Sequence, residues 1–277
     1  MKSFYPSAIK FRIGFFLFVL SGLMGGAVTA QVSGVSASKL TAIDATLVSA
    51  KTLEAEPSFT YLYGKNAFDN DGKSYPVSLD PDSAVILKYM FFRFTYGVNK
   101  NLEIGTFVTA NLSSISFGAK YRFVQHRKFL GAVLLGINFS NESNFNIRKT
   151  GFFGKSFGIA TGIALTNNFT PRLSLDVSVQ YQNSFCYEGS LSDDYFLDSD
   201  LGYYVFHQTL QLVGGFSFQY NHFKTGNPDA YLLSFHPGVT IETGKSFIIV
   251  FYTPIDLMGK NVGCFTGFSF AFTLTIH

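Results

Sequence analysis

The chain has no tryptophan, and charged residues make up only 14% of it. That share is well under the roughly 25% that is usual in soluble domains. After the N-terminal stretch the sequence has no apolar run close to the roughly 20 residues that a membrane-spanning helix needs. Aromatic residues are abundant instead, with 33 Phe and 15 Tyr beside 26 Gly. A chain of this composition can distribute its apolar groups by alternation along strands, as the strands of an outer-membrane barrel do.

The first thirty residues predict a secretory signal peptide. Lys2, Lys10 and Arg12 precede the apolar stretch 13–20, and the small-residue triplet 28–30 follows it. We expect cleavage after Ala30, so residues 1–30 are the leader. Because the leader holds three basic and no acidic residues, the mature chain is formally neutral. A neutral chain gives no reason to expect a nucleic-acid partner, which would require a clustered basic surface.

Strict alternation of apolar and polar residues recurs along the mature chain. In Arg172–Gln182, RLSLDVSVQYQ, every second residue is apolar, and Phe268–Ile276 shows the same period up to the end of the sequence. Such strands present one face to lipid and the other to a polar lumen. The sequence therefore predicts an all-β fold, a transmembrane antiparallel up-and-down β-barrel of about twelve strands, with ten as the fallback.

Residues 53–277 form the predicted barrel domain. The residues that precede it, 31–52, are expected to lie either in the periplasm or in the lumen. Gly214-Gly215 is interpreted as a tight hairpin turn. Long connections at 65–83, 140–153 and 184–202 are expected on the outer side and short turns on the periplasmic side. The predicted strands are 53–64, 84–97, 101–112, 115–124, 128–139, 154–166, 171–183, 203–213, 215–223, 230–242, 246–254 and 264–277.

Three stretches resemble a known family. They are FFRFTYGVNKNLEIG at Phe91–Gly105, SFGAKYRF at Ser116–Phe123 and HPGVTIETGKSFIIVFYTPI at His236–Ile255. Together they resemble the transporter-like outer-membrane barrels named for the meta-pathway of phenol degradation. The resemblance implies a barrel fold and a place near channels for small hydrophobic compounds. It implies no specific substrate.

Charged and polar residues on the inward parity are the candidate functional groups. Glu103 and either Lys120 or Arg122 lie on neighbouring strands and are placed to pair across a hairpin. Such pairs either tie strands together or create a transverse field that selects solutes, and the sequence leaves both roles open. A lumenal ring of charges of alternating sign is expected. The lumen-facing candidates are Glu54, Glu56, Arg93, Glu103, Lys120, Arg122, Arg172, Asp176, Gln180, His207 and Glu242.

No catalytic or metal-binding group stands out. The histidines lack a nucleophile and a carboxylate at a recognisable spacing, so we predict a protein that is not an enzyme. The acidic clusters at 69–72 and 193–200 lack the calcium-loop pattern and are interpreted as solvated loops. Cys186 and Cys264 are both expected at the outer side, where a disulfide or two unpaired thiols would fit. No metal and no cofactor are predicted.

The function expected from the sequence is passive. A monomeric channel or transporter in the cell outer membrane would pass a small molecule, with a hydrophobic or aromatic compound as one option. Its partners would be outer-membrane lipid, lipopolysaccharide and the solute. The alternative is a structural or interaction barrel, either an anchor or a subunit of an envelope assembly, without transport activity. Barrels of about this size leave little empty lumen, so a plugged pore is a further alternative.

Overall fold

The structure is a computed structural model that describes residues 32–276, apart from 38, 79–82, 141–155, 187–188, 207–208, 225 and 245. The predicted signal peptide, 1–30, lies outside the described residues. Within the described residues, no helix is long and apolar enough to cross a bilayer. The strands are β1 (Leu53–Phe68), β2 (Ser74–Pro76), β3 (Val85–Asn99), β4 (Leu102–Thr109), β5 (Ser114–His126), β6 (Phe129–Ser140), β7 (Ser156–Asn168), β8 (Leu173–Cys186), β9 (Gly189–Phe206), β10 (Leu210–Phe223), β11 (Ala230–Glu242), β12 (Phe247–Tyr252), β13 (Ile255–Lys260) and β14 (Val262–Ile276).

The strands form one closed antiparallel barrel. Each spanning strand pairs with its neighbours in chain order, and β1 closes on β14 from Leu53↔Ile276 to Phe68↔Val262. β12 and β13 both pair with β11 and with β14, so they act as one spanning strand interrupted before Pro254, which has no N–H to donate. β2 is a short extension paired with β1. Twelve strands therefore span the barrel, as predicted.

The two faces of the wall carry the predicted chemistry. In β8, Val179 points outward and is 54% exposed, whereas Ser178 and Gln180 point inward and are buried. The outward positions of the other strands hold large apolar side chains, such as Phe117 and Leu135. An apolar exterior around a polar interior reverses the arrangement of a soluble protein and fits hydrocarbon outside the barrel.

Two sequence predictions about the strands are wrong, and their errors cancel in the strand count. Gly214 and Gly215 lie inside β10, where they pair with both β9 and β11, so no hairpin turn forms there. Residues 189–202, predicted within a long outer loop, belong to β9. Asp194, Asp198 and Asp200 are therefore buried wall residues and not part of a solvated loop.

The connections at the end of the barrel where β1 begins are short, as predicted. They comprise residues 100–101, 127–128, 169–172, 207–209 and 243–246. At the opposite end, β2 and β3 are eight residues apart along the chain, and the predicted outer loop at 140–153 lies, apart from Ser140, outside the described residues. By the usual asymmetry of such barrels, the short-turn end is the periplasmic side.

Candidate functional site in the barrel lumen

Residues 32–48, called here the N-terminal segment, lie inside the barrel. The described residues of this segment, 32–37 and 39–48, form no strand or helix, yet Val32, Val35 and Ile43 are buried. These three side chains join a cluster with small and aliphatic residues of β6 and β7, including Leu134 and Ala160. The segment therefore occupies lumen space that the small inward residues of these strands leave open.

A row of glycines lets the segment lie directly on the barrel wall. Gly105, Gly118 and Gly136 are opposite one another on β4, β5 and β6. A Cβ added at Gly118 would approach the Ser33 carbonyl oxygen more closely than 3.0 Å, and one added at Gly105 would do the same to Gly34. Because any larger residue would fill this space, glycine is required where the two backbones meet.

On one side of the lumen, a buried ion pair holds the segment. Lys120 Nζ lies 3.1 Å from Glu103 Oε1, and both side chains are 0% exposed. Glu103 accepts hydrogen bonds from the backbone N–H groups of Ser36, at 2.8 Å, and Val48, at 2.7 Å. Lys120 also lies 3.3 Å from Asp44 Oδ1. The two wall residues predicted to pair across a hairpin are therefore brought together, and they contact both ends of the segment.

On the facing side, two carboxylates of β8 and β9 hold the middle of the segment. Asp200 Oδ2 accepts hydrogen bonds from the backbone N–H groups of Leu40, Thr41 and Ala42, each at 2.9 Å. Asp176, which is directly opposite Asp200 in the strand register, forms an ion pair with Lys39. The carboxylates thus bind an ammonium group and a run of backbone donors.

Three further predicted residues also lie in the lumen. Gln180 Oε1 accepts a 2.8 Å hydrogen bond from the Val32 backbone N–H. Arg93 pairs with Glu56 at 2.6 Å and donates to the Val35 carbonyl oxygen at 3.2 Å. Gln180 lies on β8 with Asp176, and Arg93 lies on β3 beside the strand of Glu103, so these contacts extend the two sides from which wall residues reach the segment.

The remaining predicted residues lie away from the segment contacts. Glu54 is half-buried on β1, and Glu242 accepts a hydrogen bond from the Tyr204 hydroxyl. Arg122 donates to the Lys100 carbonyl oxygen at 2.5 Å, at the short-turn end of the barrel. Arg172 is exposed in the turn before β8, so its predicted lumenal position is wrong. His207 lies outside the described residues.

The charges do not form the expected ring of alternating sign. The described residues of the wall include five buried carboxylates and two buried cations. The carboxylates are those of Glu103, Asp176, Asp194, Asp198 and Asp200, and the cations are Arg93 and Lys120. The two cations lie on β3 and β5, whereas four of the carboxylates lie on β8 and β9. The lumen is therefore acidic on the side of β8 and β9.

Sequence reasoning missed Lys39, Asp44, Asp198 and Asp200. A signal was available for the first two, because they are charged residues within the otherwise mostly apolar and small stretch 32–48. Asp198 and Asp200 share the parity of Asp194, which indicates one face of a strand. The composition of that stretch hid this pattern.

The sequence left a disulfide and two unpaired thiols open for Cys186 and Cys264, and the free thiol of Cys264 excludes the disulfide in this structure. Cys264 has a free thiol and lies on β14, where its backbone is opposite Asn66 of β1. Cys186 ends β8, and several strands separate β8 from β14 in the barrel. Within the described residues, no group of three His, Cys, Asp or Glu side chains is arranged to hold a metal ion.

A polar cluster lies at the end of the barrel with long connections, where β10 ends and β11 begins. Asp229, in the connection before β11, accepts a 2.7 Å hydrogen bond from Tyr220 and lies 2.9 Å from His222 Nδ1. The Tyr220 hydrogen bond and the neighbouring His222 hold the pKa of Asp229 below its ordinary value. The cluster joins the ends of β10 and β11.

The closed barrel and its apolar exterior define a membrane-spanning β-barrel protein. More particularly, a family model described as a membrane-bound β-barrel domain, DUF5777, matches residues 84–265, and the chain belongs to that family. The COG4313 outer membrane channel from Pseudomonas putida F1 is similar in structure, with a TM-score of 0.65 at 10% identity over 86% of this chain and 100% of that chain. The KdgM porin in complex with disordered oligogalacturonate gives a TM-score of 0.51 at 10% identity over 80% and 99% of the two chains. A comparison with curated proteins finds no match.

Proposed function

We propose that this protein is an outer-membrane channel for the passive passage of a small solute, and that residues 32–48 close its lumen at rest. The observation that carries the proposal is the position of the N-terminal segment between the Glu103–Lys120 pair and the carboxylates Asp176 and Asp200. Solute passage requires that the segment move from this position. The likeness to a solved outer membrane channel and to a porin supports the barrel as a conduit.

The lining of the lumen supports a polar solute. The buried groups of the wall are mainly carboxylates, amides and hydroxyls. A polar solute can exchange its water for these groups, as selectivity filters require, whereas a hydrophobic compound would gain nothing from them. The resemblance to the phenol-degradation barrels implies only a place near channels for small hydrophobic compounds. We favour the polar solute because the wall contacts are polar.

The filled lumen also favours a second candidate function. A barrel whose interior is packed by its own chain could serve as an anchor or as a subunit of an envelope assembly, with no transport. In that case, the hydrogen bonds that Asp200 and Glu103 accept from the segment only stabilise the fold. The two functions differ in whether the segment must move.

A reversible tether tests the channel proposal. An added Cβ at Gly136 would lie 3.2 Å from Val32 Cα and 3.3 Å from Val32 Cγ1, which is within reach of a disulfide. The variant combines Val32→Cys and Gly136→Cys in a background with Cys186→Ser and Cys264→Ser. We expect single-channel openings in the wild type, none in the oxidised tether variant, and recovery on reduction.

The controls separate the two functions. Gly136→Cys alone, in the same background, should conduct whether oxidised or reduced. Equal currents from the oxidised and reduced tether variant would show that the segment does not close the lumen. If the wild type and the reduced variant both give no current while the barrel is folded, the anchor function is favoured and the channel proposal fails.

A further inference from the structure

We propose that the lumen recognises solutes that carry an alkylammonium group, and that such a solute binds at Asp176, Asp198 and Asp200 in place of Lys39. These three carboxylates are called here the acidic wall. The inference rests on the proposed channel function for its route of access. It adds the chemical class of the solute and the event that displaces the N-terminal segment.

The acidic wall is a compact group on two paired strands. Asp176 and Asp200 are directly opposite each other on β8 and β9, and Asp198 is two residues from Asp200 on the same face. All three side chains are almost completely buried. The Ser178 hydroxyl, which is opposite Asp198, donates to Asp198 Oδ2 at 3.5 Å, two residues along the strands from the Asp176–Asp200 pair. Three carboxyl groups are therefore concentrated in a small part of the lumen.

The cation that meets this wall comes from the segment and not from the barrel. Arg93 pairs with Glu56, and Lys120 pairs with Glu103, so both buried cations of the barrel wall have carboxylate partners near β3–β5. Lys39 supplies the ammonium group at Asp176. Lys39 is therefore a ligand carried by the chain itself, and it shows which chemistry the acidic wall binds.

Displacement of the segment changes the charge balance of the wall. Asp176 would lose its ammonium partner, and Asp200 would lose the three backbone N–H groups that it binds at 2.9 Å. Buried carboxylates are costly without compensating charge or donors. A solute with an ammonium group replaces both kinds of partner, because it is a cation with several N–H donors. Such a solute therefore competes directly with Lys39.

A second, independent observation points to a missing donor next to this wall. His236, on β11, is 7% exposed, and within the described residues neither of its ring nitrogens has a hydrogen-bond partner. His236 and Asp200 flank the same residue, Gly215, and an added Cβ there would contact both. A neutral imidazole offers one acceptor nitrogen. An ammonium group held by Asp200 could donate to it.

The test compares 1,4-diaminobutane with its neutral analogue 1,4-butanediol on the full-length mature protein. Hydrogen exchange of residues 32–48, followed by mass spectrometry, reports displacement of the segment without requiring conduction. We expect the diamine, and not the diol, to raise hydrogen exchange in these residues. It should also raise the frequency of channel opening by about tenfold, the lower end of the increase in association rate that a cleft lined by one sign of charge gives. Asp176→Asn with Asp200→Asn should bring the diamine and diol responses together. Asp71→Asn, in an exposed turn, is the matched control.

The outcomes distinguish this inference from the channel function. Equal exchange of residues 32–48 in diamine and diol, or a diamine response that persists in the double variant, overturns the inference even if the protein conducts. A diamine-dependent rise in exchange with no current supports the acidic wall as the recognition site and refutes the channel function. Lys39→Met provides a second check, because the diamine should act at lower concentration when no lysine competes.

Discussion

Replacement of Gly118 by alanine should displace the N-terminal segment while the barrel stays intact. An added Cβ at Gly118 would meet Val35 Cγ1 at 3.1 Å and the Ser33 carbonyl carbon at 3.2 Å, and it would overlap the Ser33 oxygen. These nearest atoms all belong to the segment, and none belongs to a neighbouring strand. At Gly105, by contrast, the Cβ would also lie 2.5 Å from the Phe94 carbonyl oxygen of β3. Gly118→Ala is therefore the more selective perturbation.

The size of the effect follows from the contacts of the segment. Overpacking of this kind costs typically about 1–3 kcal/mol. If the segment bears that cost, the ratio of displaced to docked protein rises by roughly 5-fold to 150-fold. Gly136→Ala should act more weakly, because its Cβ would meet the nearest segment atoms at 3.2 and 3.3 Å. The two alanine variants should therefore form a graded series.

Hydrogen exchange of residues 32–48 and single-channel recording measure the two consequences separately. Gly118→Ala should raise exchange in the segment and leave the exchange of β5 unchanged. Gly214→Ala is the control, since the added Cβ would find its nearest neighbour, Phe235, at an ordinary 3.8 Å. The reasoning is refuted if Gly118→Ala leaves the segment protected, or if β5 loses protection together with the segment.

Three further predictions concern charge and lipid contact. Lys120→Met should lower the free energy of unfolding by about 3–5 kcal/mol, because Glu103 and Asp44 would lose a buried cation. Urea titrations in detergent measure this loss, and a loss under about 1 kcal/mol would contradict the prediction. Leu135→Arg puts a charge on the lipid face and should cost about 2–4 kcal/mol in lipid vesicles if it lies near mid-depth; an unchanged unfolding midpoint would argue against lipid contact there. The pKa of Asp229 is lower in the folded protein, so its stabilisation is present above about 3.8 and is lost as the pH falls through the folded value. Asp229→Asn should reduce the difference in unfolding midpoint between pH 6 and pH 3, and an unchanged difference would contradict the linkage.

The barrel could be predicted from the sequence because its environment repeats. Every spanning strand meets lipid on one face and the lumen on the other, so the same period recurs along the chain. The contact of Glu103 with Lys120 followed from the same rule, because two adjacent strands joined by a short connection bring inward residues together. Arg172 was misplaced because the strand begins at Leu173, two residues later than predicted, and strand boundaries are not fixed by alternation.

Strand β9 could not be recognised, and the reason lies outside the strand. Aspartate is unfavourable in strands, so a stretch with Asp194, Asp198 and Asp200 has the composition of a loop. In the structure, Asp200 is tolerated because the backbone of the N-terminal segment donates three hydrogen bonds to it. The partner of this strand lies about 160 residues earlier in the chain, as for the Leu40 bond. No local pattern carries that information.

The N-terminal segment was equally hidden, because its position depends on individual partners and not on a period. Two features of the barrel wall nevertheless match the segment. On one side of the lumen, space for the backbone of the segment is left by Gly105, Gly118 and Gly136. On the other side, carboxylates are presented by Asp176 and Asp200. Small inward residues alone would suit an open lumen equally well. The combination of inward glycines on adjacent strands with buried carboxylates across the lumen indicates instead a lumen occupied by a peptide segment that carries a cation. Lys39, within residues 32–48, provides that cation.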